Sequence, residues 1–99
     1  MSSPEIVHDP DRSRFEIRLD GDVIGKSYYQ SEPGRRVFTH TEVDPEYQGQ
    51  GLASQLIKVA LDDTRDAELR LVPQCPAVAA YIAKHPEYVD IVDGDVAPS

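Results

Sequence analysis

The chain has 99 residues, 39% hydrophobic and 28% charged, which is enough for one modest core and too little for a bilobed enzyme. Lys and Arg number 10 against 18 Asp and Glu, a formal net charge of -8 that repels phosphate backbones and anionic bilayers, so neither nucleic acid nor membrane is an expected partner. A lone cysteine, Cys75, excludes an internal disulfide framework and argues against a zinc site; with no apolar run of spanning length and no signal pattern over Met1–Pro10, the expectation is a soluble cytoplasmic protein without a metal.

Ile6-Val7-His8 reads as a short edge strand stopped by Asp9-Pro10. Phe15-Glu16-Ile17-Arg18-Leu19 alternates apolar and charged residues, the pattern of a strand with one wet face. Asp20-Gly21 signals a hairpin, and the return strand runs from about Val23 to Gln30. Pro33-Gly34 suits the next turn, after which Arg35 to Val43 forms a third strand. Strict alternation along it places Val37, Thr39, Thr41 and Val43 on one face and Phe38, His40 and Glu42 on the other, with Arg35-Arg36 as a solvated start.

After Asp44-Pro45 the texture changes. Tyr47-Gln48-Gly49-Gln50-Gly51 is a glycine loop, and Leu52 to Asp63 follows with helical spacing, its stripe made of Leu52, Leu56, Val59, Ala60 and Asp63 with Ile57 and Leu61 widening it. Leu69 to Val72 is a short strand, parallel to the one before the loop because a helical crossover joins them. Pro76 opens a second helix with a face of Val78, Tyr81, Ile82 and His85, and Pro86 stops it. Tyr88 to Val92 reads as a last strand, with residues 93–99 fraying and Asp90, Asp93 and Asp95 as a solvated tail. Tyr28, Tyr29, Tyr47 and Tyr88 read as packing or rim residues. The whole, residues 1–99, is one α+β domain: a mixed, mostly antiparallel sheet with two main helices.

The strand–glycine loop–helix segment is the strongest local signal. Glycines let a ligand approach the backbone, and the free N–H groups and dipole of a helix start attract an anion. It is neither a Walker loop nor a Rossmann fingerprint, since Gly-Lys-Ser/Thr and the three-glycine spacing are both missing. On its own residues it reads equally as an anion cradle or as a turn that holds nothing.

Gln48-Gly49-Gln50-Gly51-Leu52-Ala53 resembles the Gln/Arg-x-x-Gly-x-Gly/Ala signature of the GNAT acetyltransferases. With His40-Thr41-Glu42-Val43, Ala60-Leu61-Asp62, Pro73-Gln74-Cys75-Pro76 and His85-Pro86-Glu87-Tyr88 in order, the chain is similar, from about Phe15 to Val92, to the small single-domain YjdJ-like subfamily. The resemblance implies a minimal GNAT-like fold with a splayed parallel strand pair. It implies acetyl-CoA as cosubstrate, its pyrophosphate on Gln48, Gly49, Gln50, Gly51, Leu52 and Ala53, and its pantetheine arm against the strand backbone near Glu42 and Val43. A backbone N–H there would polarise the thioester.

Within that frame four side chains are candidates for chemistry. Glu42 is a general base or a solvated strand glutamate; His40 shares or replaces that role, or is structural. Cys75 is a nucleophile that takes the acetyl group, a lining of the acyl pocket, or a small buried hydrophobe. Tyr81 matches the tyrosine that protonates departing CoA in many members, or is a core aromatic; the Gly-Phe usual four residues later is His85-Pro86 here. Full-length members add helices and strands for which 99 residues leave little material, so the acceptor site is expected to be open, shared across a homodimer, or completed by a partner protein. The first reading is therefore an N-acetyltransferase acting on an amine, either a small molecule or a protein lysine. The alternative is a non-catalytic acyl-CoA-binding or protein-interaction module, and a third is a structural domain without a CoA site.

Overall fold

Alternation builds the first half of the molecule. In the computed structural model, which describes residues 3–93, Glu5–Asp9 (β1), Arg14–Leu19 (β2), Asp22–Glu32 (β3) and Arg35–Val43 (β4) form an antiparallel meander. Asp20 and Gly21 both take positive φ, 53° and 84°, the type I′ geometry that matches strand twist. Leu52–Asp66 (α1) then crosses to Arg70–Pro73 (β5), which pairs parallel to β4, and Pro76–Lys84 (α2) follows. The strands lie in chain order, β1 to β5. Among the described residues no helix is long and apolar enough to cross a membrane.

Both helices cover one face of the sheet. Phe15, Ile17, Ile24, Tyr29 and Phe38 join Leu56, Ile57, Ala60 and Leu61 of α1 and Val78, Tyr81 and Ile82 of α2 in a single apolar cluster. On the other face of β2, Glu16 lies almost fully buried under its own neighbours, with Arg14 and Arg18 donating to its two carboxylate oxygens. Burial alone would raise its pKa; the hydrogen bonds from Arg18 and Arg14 outweigh that and hold the carboxyl below its usual range.

Four expectations change on contact with the tertiary structure. Strict alternation fails on β4: the register with β3 shifts between Tyr28 and Tyr29, so Tyr28 faces His40 while Tyr29 faces Phe38, and Thr39 is the extra residue of a β-bulge. Phe38 and Thr41 therefore share the helix side, and His40 and Glu42 project from the opposite one. Arg36 is not solvated: it donates to Asp63 and Thr64 on α1 and lies over the rings of Phe15 and Tyr29. Val59 falls outside the buried stripe of α1, which Thr64 completes instead.

Finally, Pro86–Ile91 is a 3-10 segment rather than a strand, pinned by Tyr88 donating to Asp62 and by Arg65 paired with Asp90. Only Val92 keeps a strand-like contact, an isolated parallel bridge to Leu71. Asp93 is held by its own N–H on Leu71 and by Arg35, and residues 94–99, with Asp95, lie outside the described part.

Candidate active site

The site begins where β5 runs out. Parallel pairing covers only Arg35–Phe38 against Arg70–Pro73, and Cys75 N–H makes the last rung to Phe38 O at 2.8 Å. Pro73 and Pro76 bracket that rung, and a prolyl nitrogen has no N–H to extend a ladder. The chain turns into α2 instead, while β4 continues through Thr39–Val43 with no strand partner on that side among the described residues.

Ladder geometry tells which backbone groups this leaves free. Asp44 N–H donates to Ile24 O, so pairs at two-residue steps, Glu42 with Lys26 and His40 with Tyr28, also exchange bonds with β3. Thr41 and Val43 turn their N–H and C=O groups the other way, into the splay. Val43 O confirms the direction by accepting from the Gln48 side chain at 3.1 Å. The free donors beside the expected thioester are thus those of Thr41 and Val43, not of Glu42.

The glycine loop closes the wide end of the splay. Gly49 and Gly51 sit at φ 83° and 76°, a left-handed region that costs a side chain roughly 1–2 kcal/mol. Gly51 is the N-cap of α1 and its carbonyl accepts from Gln55, the first helical bond. The N–H groups of Leu52, Ala53 and Ser54 precede that bond and have no acceptor within the helix. Among the described residues no side chain caps them, and no acidic residue occupies the first turn, so the positive end of the helix dipole stays open.

Two recesses meet at this helix start. One is lined by Val43, Tyr47, Gln48, Gly49, Gly51, Leu52, Ala53 and Ser54. Of the residues expected to cradle the cofactor, all but the exposed Gln50 line it; Tyr47 and Ser54 are additions. The other, about 180 Å³, runs between α1 and α2 and reaches Tyr81, Lys84 and His85. Ala53 and Ser54 belong to both, so the two recesses adjoin at the first turn of α1 and together form a groove from the loop to the C-terminal end of α2.

The four chemical candidates do not lie together. His40 and Glu42 stand on the helix-free face, 61% and 50% exposed, with His40 Nε2 3.4 Å from Glu42 Oε2 and Lys26 Nζ 3.8 Å from Glu42 Oε1. Cys75 is on the helix side, 2% exposed, and lines neither recess. Its thiol contacts Thr41 Oγ1 at 3.5 Å, and that hydroxyl lies 2.9 Å from Ser27 Oγ, a chain of small polar groups under the splay. No histidine, lysine or arginine among the described residues hydrogen-bonds the sulfur. Tyr81 lines the second recess; burial pushes its phenol above the usual range, so it holds its proton at neutral pH. Its neighbour Tyr88 is pushed higher still, by burial and then by the bond to Asp62.

Ser54 and His85 as groove residues, and Thr41 as the hydroxyl between Cys75 and Ser27, escaped the sequence reading. Thr41 became visible only with the bulge, and Ser54 has as its only signal a place in the first turn of α1.

Comparison with known proteins agrees with this geometry. Residues 14–91 match the family model described as GCN5-related N-acetyl-transferase. Protein NATD1 of Gallus gallus is 31% identical over 83% of this chain and 76% of its own, and that of Homo sapiens is 31% identical over 82% and 74%. Among solved structures, a GCN5-like protein from Staphylococcus aureus superposes with a TM-score of 0.72 at 24% identity, covering 96% of this chain and 93% of its own. The ribosomal-protein-S18-alanine N-acetyltransferase of Escherichia coli reaches 0.59 at 16% identity, over 72% of this chain and 64% of its own. At those identities the structural likeness is one of fold. The family model, which spans most of the chain, and the splay, glycine loop and open helix start together place this chain in the GCN5-related N-acetyltransferase family.

Proposed function

We propose that the chain transfers acetyl from acetyl-CoA directly to an amine that enters from the helix-free face of the sheet. The observation that carries this reading is the stretch Thr39–Val43, paired with β3 but bare on the β5 side, beside the open N-terminus of α1. A pantetheine amide matches the free N–H groups of Thr41 and Val43 and the carbonyl of Thr41, the Val43 carbonyl being held by the Gln48 side chain, and a diphosphate matches the N–H groups of Leu52, Ala53 and Ser54. Acetyl-CoA supplies an activated acyl group. The chain's own contribution is to orient it, to set a β4 N–H where negative charge develops on the carbonyl oxygen, and to move two protons.

Glu42, with His40 beside it, takes the proton from the attacking amine on the open face. Tyr81, from the helix side, gives its proton to the departing thiolate. The opposition of faces becomes useful here: base and acid reach the reacting carbon from the two sides of the splay. Cys75 lines its floor; the absence of a base at the sulfur among the described residues favours direct attack over an acetyl-cysteine route. The acceptor is a small-molecule amine or a protein lysine.

The test is calorimetric titration with CoA, intact-protein mass after incubation with acetyl-CoA, and a turnover screen of polyamines and lysine peptides. Expected are CoA binding, no mass gain at Cys75, and turnover of at least one amine. An added acetyl group that disappears in Cys75→Ala would replace direct attack with the covalent route. Binding without any turnover would leave an acyl-CoA-binding module, and no binding at all would reduce the likeness to fold.

A further inference from the structure

The groove ends at an imidazole that the proposed reaction does not yet use. His85 caps α2, its N–H bonded to Ile82 O, and its ring lies nearly parallel to that of Tyr81, with centroids 4.1 Å apart and planes 21° apart. Both rings line the recess between α1 and α2, facing Ala53 and Ser54. The His85 side chain is 42% exposed, so protons reach it from solvent, and Glu87 Oε2 lies 3.9 Å from its Nδ1. Lys84 shares this wall. The charged and titratable groups acting on Tyr81 itself are Lys58 and Asp62 of α1 and Glu87 and Tyr88 of the 3-10 segment.

We propose that His85 is a positioning residue for Tyr81: stacked on the phenol it fixes the ring's attitude toward the groove, and as imidazolium it stabilises the phenolate left when Tyr81 donates its proton. This rests on the acid role of Tyr81 given above. In that step the Tyr81 O–H bond breaks, an S–H bond forms on the departing thiolate, and negative charge passes from sulfur to the phenolate oxygen, which regains a proton from water. A cation against an aromatic face favours the charged phenolate. Imidazole is the side chain whose charge changes between pH 5 and 8, so the contribution is largest on the acid side of neutrality.

The experiment measures single-turnover acetyl transfer from pH 5.5 to 8.5, with the best amine of the screen, in wild type, His85→Phe and Tyr81→Phe. Phenylalanine keeps a ring against Tyr81 and removes the charge. The ratio of wild-type to His85→Phe rate cancels the titration of His40 and Glu42. It should be about tenfold near pH 6, the size of one pKa unit, and approach unity at pH 8.5. In the free protein, Tyr81 ring resonances in NMR spectra should shift with pH through the imidazole range and stop doing so in His85→Phe.

A ratio that does not vary with pH would overturn the proposal, because a packing role alone gives that result. So would Tyr81 resonances that ignore pH. If Tyr81→Phe transfers as fast as wild type, the acid role itself falls; if only Tyr81→Phe is slow and His85→Phe is normal at every pH, His85 alone is removed from the mechanism. Should no amine be turned over, the proposal falls with the reading it rests on.

Discussion

The two halves of β4 differ more than any two strands of the sheet. Arg35–Phe38 has a strand on each side, and from it Arg36 reaches Asp63 and Thr64 across the apolar layer. His8 completes that corner, stacked on Phe15 at 4.2 Å, bonded to the Tyr29 hydroxyl at 2.6 Å and 3.7 Å from Asp63. Thr39–Val43 has a strand on one side only, and its helix-facing hydroxyl meets a thiol and a serine. One continuous strand thus serves two purposes: the first half is satisfied on every side and holds the fold, and the second leaves donors and acceptors open for a ligand. The bulge at Thr39 is the seam between them.

Phe38→Ala strikes the seam from the closed side. Phe38 is fully buried against Phe15 and Tyr29, so about 3–5 kcal/mol of stability should go, read as a urea midpoint, and both halves should loosen together. Tyr81→Phe acts on the open side alone: acetyl transfer should slow about 100-fold, the lower range for a general acid, with CoA affinity unchanged within error. Gly51→Val should weaken CoA binding by about tenfold or more and cost roughly 1–2 kcal/mol of stability, since valine resists positive φ at the helix cap. Unchanged affinity in that variant would remove the loop from the ligand site.

Cys75→Ala sharpens the contrast further. It should cost about 1 kcal/mol of stability and less than about threefold in rate, whereas a nucleophile would cost nearly all of the rate.

The smallest effect belongs to His8. Burial, then the Arg36 guanidinium, holds its imidazole below the ordinary range, against the pull of Asp63 and Asp9. The unfolded chain therefore takes up the proton first, and stability falls as pH drops through the ordinary imidazole value of 6.5 and levels off once the folded form is protonated too. The pH dependence of the urea midpoint between 7.5 and 5.5 should shrink in His8→Phe, which keeps the stack on Phe15. An unchanged slope would show that this corner does not sense protons.

Local chemistry announces itself in the sequence; long-range partnership does not. Asp20-Gly21, Pro33-Gly34 and the glycine loop were legible because each demands a backbone conformation that few residues supply, and the strand–helix–strand crossover follows from them. The bulge was not legible, because Thr39 looks like any strand threonine, and one extra residue reversed the side on which His40 and Glu42 stand. Tyr88 to Val92 has strand-like composition, but Pro86 and the distant partners Asp62 and Arg65 settle it as a 3-10 segment. Arg36 looked solvated for the same reason: its carboxylate lies 27 residues away. Of the site, the loop could be read residue by residue, while the separation of Glu42 from Tyr81 by the thickness of the sheet is a property of the fold.

The bare edge of β4 has a consequence for the protein's life between substrates. A strand with vacant rungs will pair with any extended chain that fits, including the same strand in another copy. The chain leaves β5 for α2 at Pro76, so β5 does not extend along the gap and intramolecular repair is denied. On the proposed function, an acyl donor that fills those rungs is also a plug for the exposed edge, and its abundance sets how often that edge is bare. Purified protein stripped of CoA should self-associate at concentrations where the loaded form stays monomeric, and light scattering with and without added CoA reads the difference directly.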